Sequence, residues 1–315
     1  MPGFLPVHTQ EWLEIFSRRG YAKVTPLAAG VEGAIYDLGD GTIAKAWRLR
    51  REAELTLMQK FYADVASAGL PFGTPEILAV EDFSGTTVTF ERKLPGQPLQ
   101  GRLGLDDRQL DPGAARCVIE VLRSLASVPA TLSMRQLPAL DEDQPLWTGA
   151  DDFQAALLSL LQRRVSHFGE VIRRQLPDFD LRYAGLREKL RALDKAPDTV
   201  LHGDLVTGNI LVDENLRPSA VLDFGFLTTA GDPRLDAAIA AAVMNMYGPH
   251  APLITSALTA QIAAELSYPA DTLLIYLAAY ATASSNAFTS DGSDGHFTWC
   301  IAQLARADVT AALLS

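Results

Sequence analysis

Hydrophobic and polar positions divide the chain into two stretches with different periods. Between Tyr21 and about Leu94 the pattern is strand-like. VTPLAAGVEGAIYDLGDGTIAKAW holds two short β-rich runs split at Gly39-Asp40-Gly41, a hairpin signal because glycine reaches the backbone angles a tight turn needs. In RLRREAELTLMQKFYADVASAGL, the apolar residues Leu55, Met58, Phe61 and Val65 recur at three- to four-residue spacing, the stripe of an amphipathic helix. Gly69, with Pro71 shortly after it, supplies the stop. EILAVEDFSGTTVTFERKL then reads as two strands joined by a Ser84-Gly85 turn.

The Pro/Gly-rich stretch LPGQPLQG, Leu94 to Gly101, marks a boundary that divides the chain into 1–95 and 96–315. Beyond it the helical period dominates, over Asp111–Val128, Phe153–Gln175, Leu181–Leu193, Leu235–Met246, Ile254–Leu266 and Thr272–Phe288. Val200 to Phe226 breaks this run, alternating β-branched residues with turn residues. The pattern predicts an α+β chain, with a small antiparallel β N-lobe carrying one helix and a large helical C-lobe with one polar, β-containing insert.

Composition narrows this reading. The 315 residues exceed a single core of roughly 100–200 residues, and the hydrophobic share of 48% is enough to bury two. A net charge of -11 argues against a nucleic-acid partner, which needs a basic face. Cys117 and Cys300 are too few for a disulfide scaffold or a cysteine-rich metal site. MPGFLPVHTQEW has no basic region followed by an apolar run. The apolar run from Ala237 to Tyr247 is too short to span a bilayer and reads as a buried core helix. A cytoplasmic protein with no membrane and no nucleic-acid partner is the expectation.

The insert carries the chemistry. His202, Asp204, Asn209 and Asp223 stand close together, each beside strand-like apolar residues. In LHGDLVTGNIL an aspartate and an asparagine lie five apart on a loop, and VLDFG then puts a second aspartate at a strand end. Phosphoryl transfer asks for this set: a carboxylate to orient and deprotonate the attacking hydroxyl, and oxygen ligands for Mg²⁺. Magnesium prefers carboxylate, amide oxygen and water, which suits Asp223 and Asn209. In the N-lobe, Lys45 shares a strand face with Ile43 and Trp47, so it reads as inward-pointing and in need of an anion.

HGDLVTGNIL followed by LDFG resembles the catalytic and metal loops of aminoglycoside phosphotransferases, choline kinases and related small-molecule kinases. The resemblance implies a protein-kinase-like bilobal fold with ATP, or GTP, and Mg²⁺ as cofactors. It makes Asp204 the catalytic base, Asn209 and Asp223 the metal ligands, and His202 a loop-bracing residue. In GDPRLD it makes Asp236 a support beneath the catalytic loop, while Asp232 reads as a helix cap with Pro233 at the first helical position. It makes Lys45 the contact to the nucleotide phosphates. The following helix offers Glu52 and Glu54 as partners for that lysine, with Glu52 preferred. Gly30 and Gly33 fall where a phosphate-covering loop belongs, and Phe90, Glu91 and Lys93 fall in the hinge whose backbone meets adenine.

Against a protein kinase stand Val206, where that family has a lysine, and the short run from Asp223 to Gly231-Asp232-Pro233, which leaves no room for an activation segment. The acceptor is therefore expected to be a small molecule. No lysine follows Lys195, and from Asp232 onward seven carboxylates face only Arg234 and Arg306, so a cationic acceptor is favoured. Asp151, Asp152, Asp291 and Asp294 are the candidate acceptor contacts, although Asp152 and Asp271 also sit where helix caps belong. An aminoglycoside or similar antibiotic is the preferred acceptor. One alternative is a metabolic kinase of the choline, sugar or fructosamine type. Choline would need an aromatic cage, for which Trp147, Tyr276, Tyr280 and Trp299 are the candidates. A nucleotide-binding pseudokinase is the remaining alternative, and it would have lost a base or a metal ligand.

Overall fold

A computed structural model describes residues 9–315 except 31, 32, 49, 84, 105, 141 and 226. The chain start, two residues of the Gly30–Gly33 loop, Leu49 in the expected helix, Ser84 of the expected turn and Phe226 at the end of the insert lie outside the described residues. The chain divides into two compact units, Met1–Pro95 and Gly96–Ser315.

In the first unit, helix α1 (Thr9–Arg18) precedes β1 (Thr25–Ala29), β2 (Gly33–Asp37) and β3 (Thr42–Trp47). Helix α2 (Glu52–Ser67), β4 (Ile77–Phe83) and β5 (Thr86–Arg92) follow. The five strands form one antiparallel sheet in the order β1-β2-β3-β5-β4. The helix over residues 9–18 was not read from the sequence. It lays Trp12 and Phe16 on Tyr36, Ala44, Ala46 and Phe90. Burying each such aromatic contributes roughly 1.5–3 kcal/mol. Ala44 and Ala46 are therefore covered on one face while Lys45 and Trp47 are buried on the other. The strand is enclosed on both sides rather than on the lysine side alone.

Helix α2 buries Leu55, Met58, Phe61, Tyr62 and Val65. It starts at Glu52, later than the periodicity indicates, and Gly69 takes the left-handed conformation just past its end, with φ +68.

The second unit opens with β6 (Gln97–Pro98), which pairs with a later strand, so the Leu94–Gly101 connector is partly structured. A 3-10 turn, Leu99–Arg102, leads to α3 (Pro112–Leu125), whose cap Asp111 accepts from Ala114 N at 2.7 Å. Helices α4 (Phe153–Gln175) and α5 (Phe179–Ala192) precede β7 (Thr199–Leu201), β8 (Ile210–Val212), β9 (Pro218–Val221) and β10 (Thr229–Gly231). These strands form a β10-β7 pair and a β6-β8-β9 sheet. Then come α6 (Arg234–Val243), α7 (Ala251–Leu266), α8 (Ala270–Ser284), α9 (Gly295–Ala305) and α10 (Ala307–Leu314). Helix α6 is buried along its whole length, as its continuous apolar run requires. Helices α9 and α10 were not read from the sequence. Asp271 lies inside the first turn of α8 and makes no side-chain cap there, because the helix starts at Ala270, two residues earlier than a cap at Asp271 needs.

Candidate active site

The loop expected to be catalytic joins β7 to β8, and the loop expected to hold the metal joins β9 to β10. The two are tied to each other through the backbone. Gly225 N donates to His202 O at 3.0 Å and Leu222 N to Asn209 O at 2.7 Å. Thr228 Oγ1 adds a second hydrogen bond to His202 O. A side chain at Gly225 would place its Cβ 2.0 Å from the Asp204 Cβ, so the close approach of the two loops depends on that glycine.

His202 is fully buried and braces both loops. Its Nε2 lies 2.8 Å from Leu222 O and its Nδ1 3.3 Å from Asp204 N. A carbonyl only accepts and an amide N–H only donates, so Nε2 carries the proton and Nδ1 is the acceptor. The ring stacks on Phe224 with centroids 4.6 Å apart. Burial pulls the His202 imidazole down to about 4. A neutral ring held at both nitrogens is a brace and has no spare position for proton transfer.

Asp236, in the first turn of α6, accepts from His202 N at 2.6 Å and from Gly203 N at 2.9 Å. It satisfies two loop donors that would otherwise be buried unpaired. Burial pushes its carboxyl up to about 6, against the pull of those two N–H groups. Asp232 does not act as the simple cap expected of it. It accepts from Arg234 N, from the Arg234 guanidinium and from Tyr276 Oη, while Arg234 also reaches Asp194 at 2.8 Å. This ion pair is buried on both sides and anchors α6 beneath the loop.

Asn209 Nδ2 donates to Asp204 O at 3.0 Å and to Asp223 O at 3.4 Å. With the amide nitrogen turned to those carbonyls, Oδ1 is the atom left to face a cation. Asp223 is exposed and has φ +35, a strained angle for a non-glycine residue. Two oxygen donors of this kind fit Mg²⁺, which takes its remaining ligands from water and phosphate. Among the described residues no group of three or more His, Cys, Asp or Glu is arranged to hold a metal ion.

In the first unit Lys45 is only 5% exposed, and its Nζ lies 3.9 Å from the centroid of the Trp47 ring. Glu54 is held by Arg51 at 2.9 Å, and Glu52 is exposed at the start of α2. Gly33 is irreplaceable for packing, since a Cβ there would stand 1.9 Å from Ala46 O; Gly30 N donates to Gly33 O at 2.9 Å. Phe90 and Glu91 lie inside β5, paired on both edges, with Phe90 in the core. Lys93 N is already given to Gly41 O at 2.9 Å and its side chain pairs with Asp37. Of the expected hinge residues, Phe90 and Glu91 thus belong to the sheet and the Lys93 backbone N–H is engaged.

The carboxylates singled out for an acceptor are mostly occupied. Asp152 caps α4 through Ala155 N at 2.8 Å and binds Lys195 at 2.8 Å. Asp294 caps α9 through Phe297 N at 2.8 Å and also accepts from Thr289 Oγ1. Asp291 is exposed and accepts from Ser293 N, and Asp151 is exposed. The four aromatics weighed as a cage are interior: Trp147 donates to Ala230 O, Tyr276 to Asp232, and Tyr280 packs edge-on against Trp299.

Tyr247, which follows α6 and is 64% exposed, was not singled out in the sequence. Burial raises its hydroxyl pKa, and the carboxylates of Asp294 and Asp204 add to the rise. No local pattern marks it, since it is an isolated tyrosine in an irregular segment.

Among the described residues no helix is long and apolar enough to cross a membrane. The profile of the phosphotransferase enzyme family, APH, matches residues 23–270. No curated protein matches the chain. Among solved structures, the chain is similar to aminoglycoside phosphotransferase APH(3'')-Id from Streptomyces rimosus, in complex with ADP and streptomycin. The identity is 17% and the TM-score 0.53, over 87% of this chain and 98% of that one. It is also similar to the GDP complex of aminoglycoside 2'-phosphotransferase-IIIa (14% identity, TM-score 0.63, 95% and 99% coverage). A third is the macrolide 2'-phosphotransferase MphH from Brachybacterium faecium (16%, 0.55, 94% and 98%). At these identities the likeness is one of fold, the protein-kinase-like fold of small-molecule kinases. With a family profile over most of its length, the chain belongs to the phosphotransferase enzyme family.

Proposed function

We propose that the protein transfers the γ-phosphoryl group of ATP, or GTP, to a hydroxyl of a small molecule, with Mg²⁺. The observation that carries this reading is the joint lock of the two loops. Asn209 bridges Asp204 O and Asp223 O, and Asp236 holds the loop from beneath. In this reading the Asp204 carboxylate orients the acceptor hydroxyl and takes its proton as the oxygen–phosphorus bond forms and the nucleoside diphosphate leaves. Asn209 Oδ1 and the Asp223 carboxylate would hold Mg²⁺, which would offset charge on the phosphates. Lys45 contacts the phosphates, and backbone near Leu94 meets the base. His202 keeps Asp204 N–H in register, and it takes no proton because its two nitrogens are engaged.

The preferred acceptor is an aminoglycoside or a similar cationic antibiotic, which would make this a resistance-type enzyme. The acidic balance after Lys195 and the streptomycin complex of one structural neighbour support that class. The macrolide enzyme among the neighbours supports testing other antibiotics beside it. For a choline-type acceptor the four aromatics weighed as a cage are interior, which favours the antibiotic class.

The test is release of nucleoside diphosphate with ATP or GTP and Mg²⁺, against a panel of aminoglycosides, macrolides, choline, sugars and glycated amines. Turnover that depends on an antibiotic supports the proposal. Turnover on a metabolite alone replaces the acceptor class. A protein that binds no nucleotide refutes the reading.

A further inference from the structure

The sheet face that carries Lys45 holds a second buried charge. In the β3–β5 ladder Lys45 is opposite Thr89 and Ile43 is opposite Glu91. Side chains alternate along a strand, so Lys45, Trp47, Thr89 and Glu91 project from one face. Lys45 is 5% exposed, Trp47 5%, Thr89 0% and Glu91 8%. Among the described residues of the first unit, Glu91 is the only buried carboxylate.

The polar atoms on this face form a directed chain. Trp47 Nε1 lies 2.9 Å from Thr89 Oγ1, and Thr89 Oγ1 lies 2.6 Å from Glu91 Oε1. An indole nitrogen can only donate, so the threonine oxygen accepts there and spends its single proton on Glu91. The Glu91 carboxylate is thereby oriented as an acceptor. Two cations crowd the same indole, Lys45 Nζ at 3.9 Å and the Arg50 guanidinium at 5.5 Å from the ring centroid. Diagonal neighbours across an antiparallel pair stand roughly 7–8 Å apart at the backbone, within reach of long side chains. A buried ammonium and a buried carboxylate are each costly alone, and each offsets the other when both occupy one face. The acids of α2 are placed differently, Glu54 on Arg51 and Glu52 in solvent.

We propose that Glu91, oriented through Thr89 and Trp47, is the positioning carboxylate that holds the Lys45 ammonium. The sheet would then supply the lysine's counter-charge in place of Glu52 of α2. This rests on the reading of Lys45 as the residue that meets the anionic phosphates of the nucleotide. Phosphates arriving at Lys45 would share it with Glu91.

The test reads Lys45 directly in the nucleotide-free full-length protein. Lysine Cε resonances are titrated by NMR after ¹³C-lysine labelling, with Lys45 identified by its loss in Lys45→Arg. Removing the counter-charge from a buried ammonium lowers its pKa, so Glu91→Gln is expected to move the Lys45 midpoint down by about one pH unit or more. Glu52→Gln is expected to leave it in place. Glu91→Asp, which keeps the charge, should recover most of the shift; if Glu91→Gln does not fold, Thr89→Val, which removes the hydrogen bond that orients Glu91, is expected to move the Lys45 midpoint. The kinetic counterpart is a fall of about tenfold in kcat/KM for the nucleotide in Glu91→Gln, with the acceptor KM unchanged. A Lys45 midpoint that moves with Glu52→Gln, or that ignores Glu91→Gln, overturns the inference. Isothermal titration with Mg·ADP separates the two failures. A wild-type protein that binds no ADP refutes the nucleotide reading, whereas the Lys45 titration judges the role of Glu91 by itself.

Discussion

Asp236→Asn removes the charge beneath the catalytic loop while keeping the shape of the side chain, and its consequence is a change in how stability depends on pH. In the folded protein burial raises Asp236 from 3.8 to about 6 and lowers His202 from 6.5 to about 4. Between pH 6 and 4 the folded state holds a proton on Asp236 that the unfolded chain does not, so this residue adds stability as pH falls. His202 does the opposite, since between pH 6.5 and 4 the unfolded chain takes up a proton that the buried ring refuses. From pH 7 to pH 4.5, those shifts give a gain of about 2 kcal/mol from Asp236 and a loss of about 2.5 kcal/mol from His202. In the wild type the two nearly cancel.

The asparagine variant keeps the His202 loss and has no Asp236 gain. Relative to wild type it should therefore become about 2 kcal/mol less stable between pH 7 and pH 4.5, on top of any constant offset from the altered hydrogen bonds. Urea unfolding of both proteins at half-unit steps across that range gives the difference, and every other titrating group drops out of it. A difference that stays flat with pH would refute the reasoning, because it would mean that Asp236 titrates alike in the folded and unfolded states.

Three further outcomes follow from the packing. Gly225→Ala drives a Cβ to 2.0 Å from that of Asp204, and is expected to cost about 1–3 kcal/mol in urea unfolding. The displaced loop should also lower kcat by roughly a hundredfold. Arg234→Met leaves Asp232 buried without its guanidinium partner and should destabilise the protein by about 3–5 kcal/mol, measured by the same unfolding assay. Tyr247→Ala, at an exposed site whose hydroxyl pKa the Asp204 carboxylate helps to raise, should raise the acceptor KM by roughly five- to tenfold with the nucleotide KM unchanged, read by steady-state kinetics.

The loops were legible in sequence because their chemistry is local. Asp204 and Asn209 lie five apart and Asp223 closes a short hairpin, so spacing alone brings them together. Helices α2 to α8 announced themselves through apolar period, and α2 also through its Gly69 stop. What escaped was set by long-range pairing. Glu91 reaches the face of Lys45 only because β5 docks beside β3 across the intervening α2 and β4, and no window of sequence contains both. Asp152 read as an acceptor contact or a cap and Asp294 as an acceptor contact, since a carboxylate before a helix has the same local signature in either role. The four interior aromatics show the converse error. Tyrosine and tryptophan suit a cation cage, but here their bodies fill the core and Trp147 and Tyr276 spend their polar tips on Ala230 and Asp232.

The central claim is that Asp204 takes the proton of the attacking hydroxyl while the rest of the site binds the nucleotide. The most direct measurement compares wild type with Asp204→Asn at saturating nucleotide, Mg²⁺ and an active acceptor, with Mg·nucleotide affinity measured on the same samples. The account predicts a fall in kcat of roughly 10²–10⁴, the usual contribution of a general base, with nucleotide affinity held within about threefold. An Asp204→Asn protein that turns over at the wild-type rate, or that loses nucleotide binding together with turnover, would contradict it.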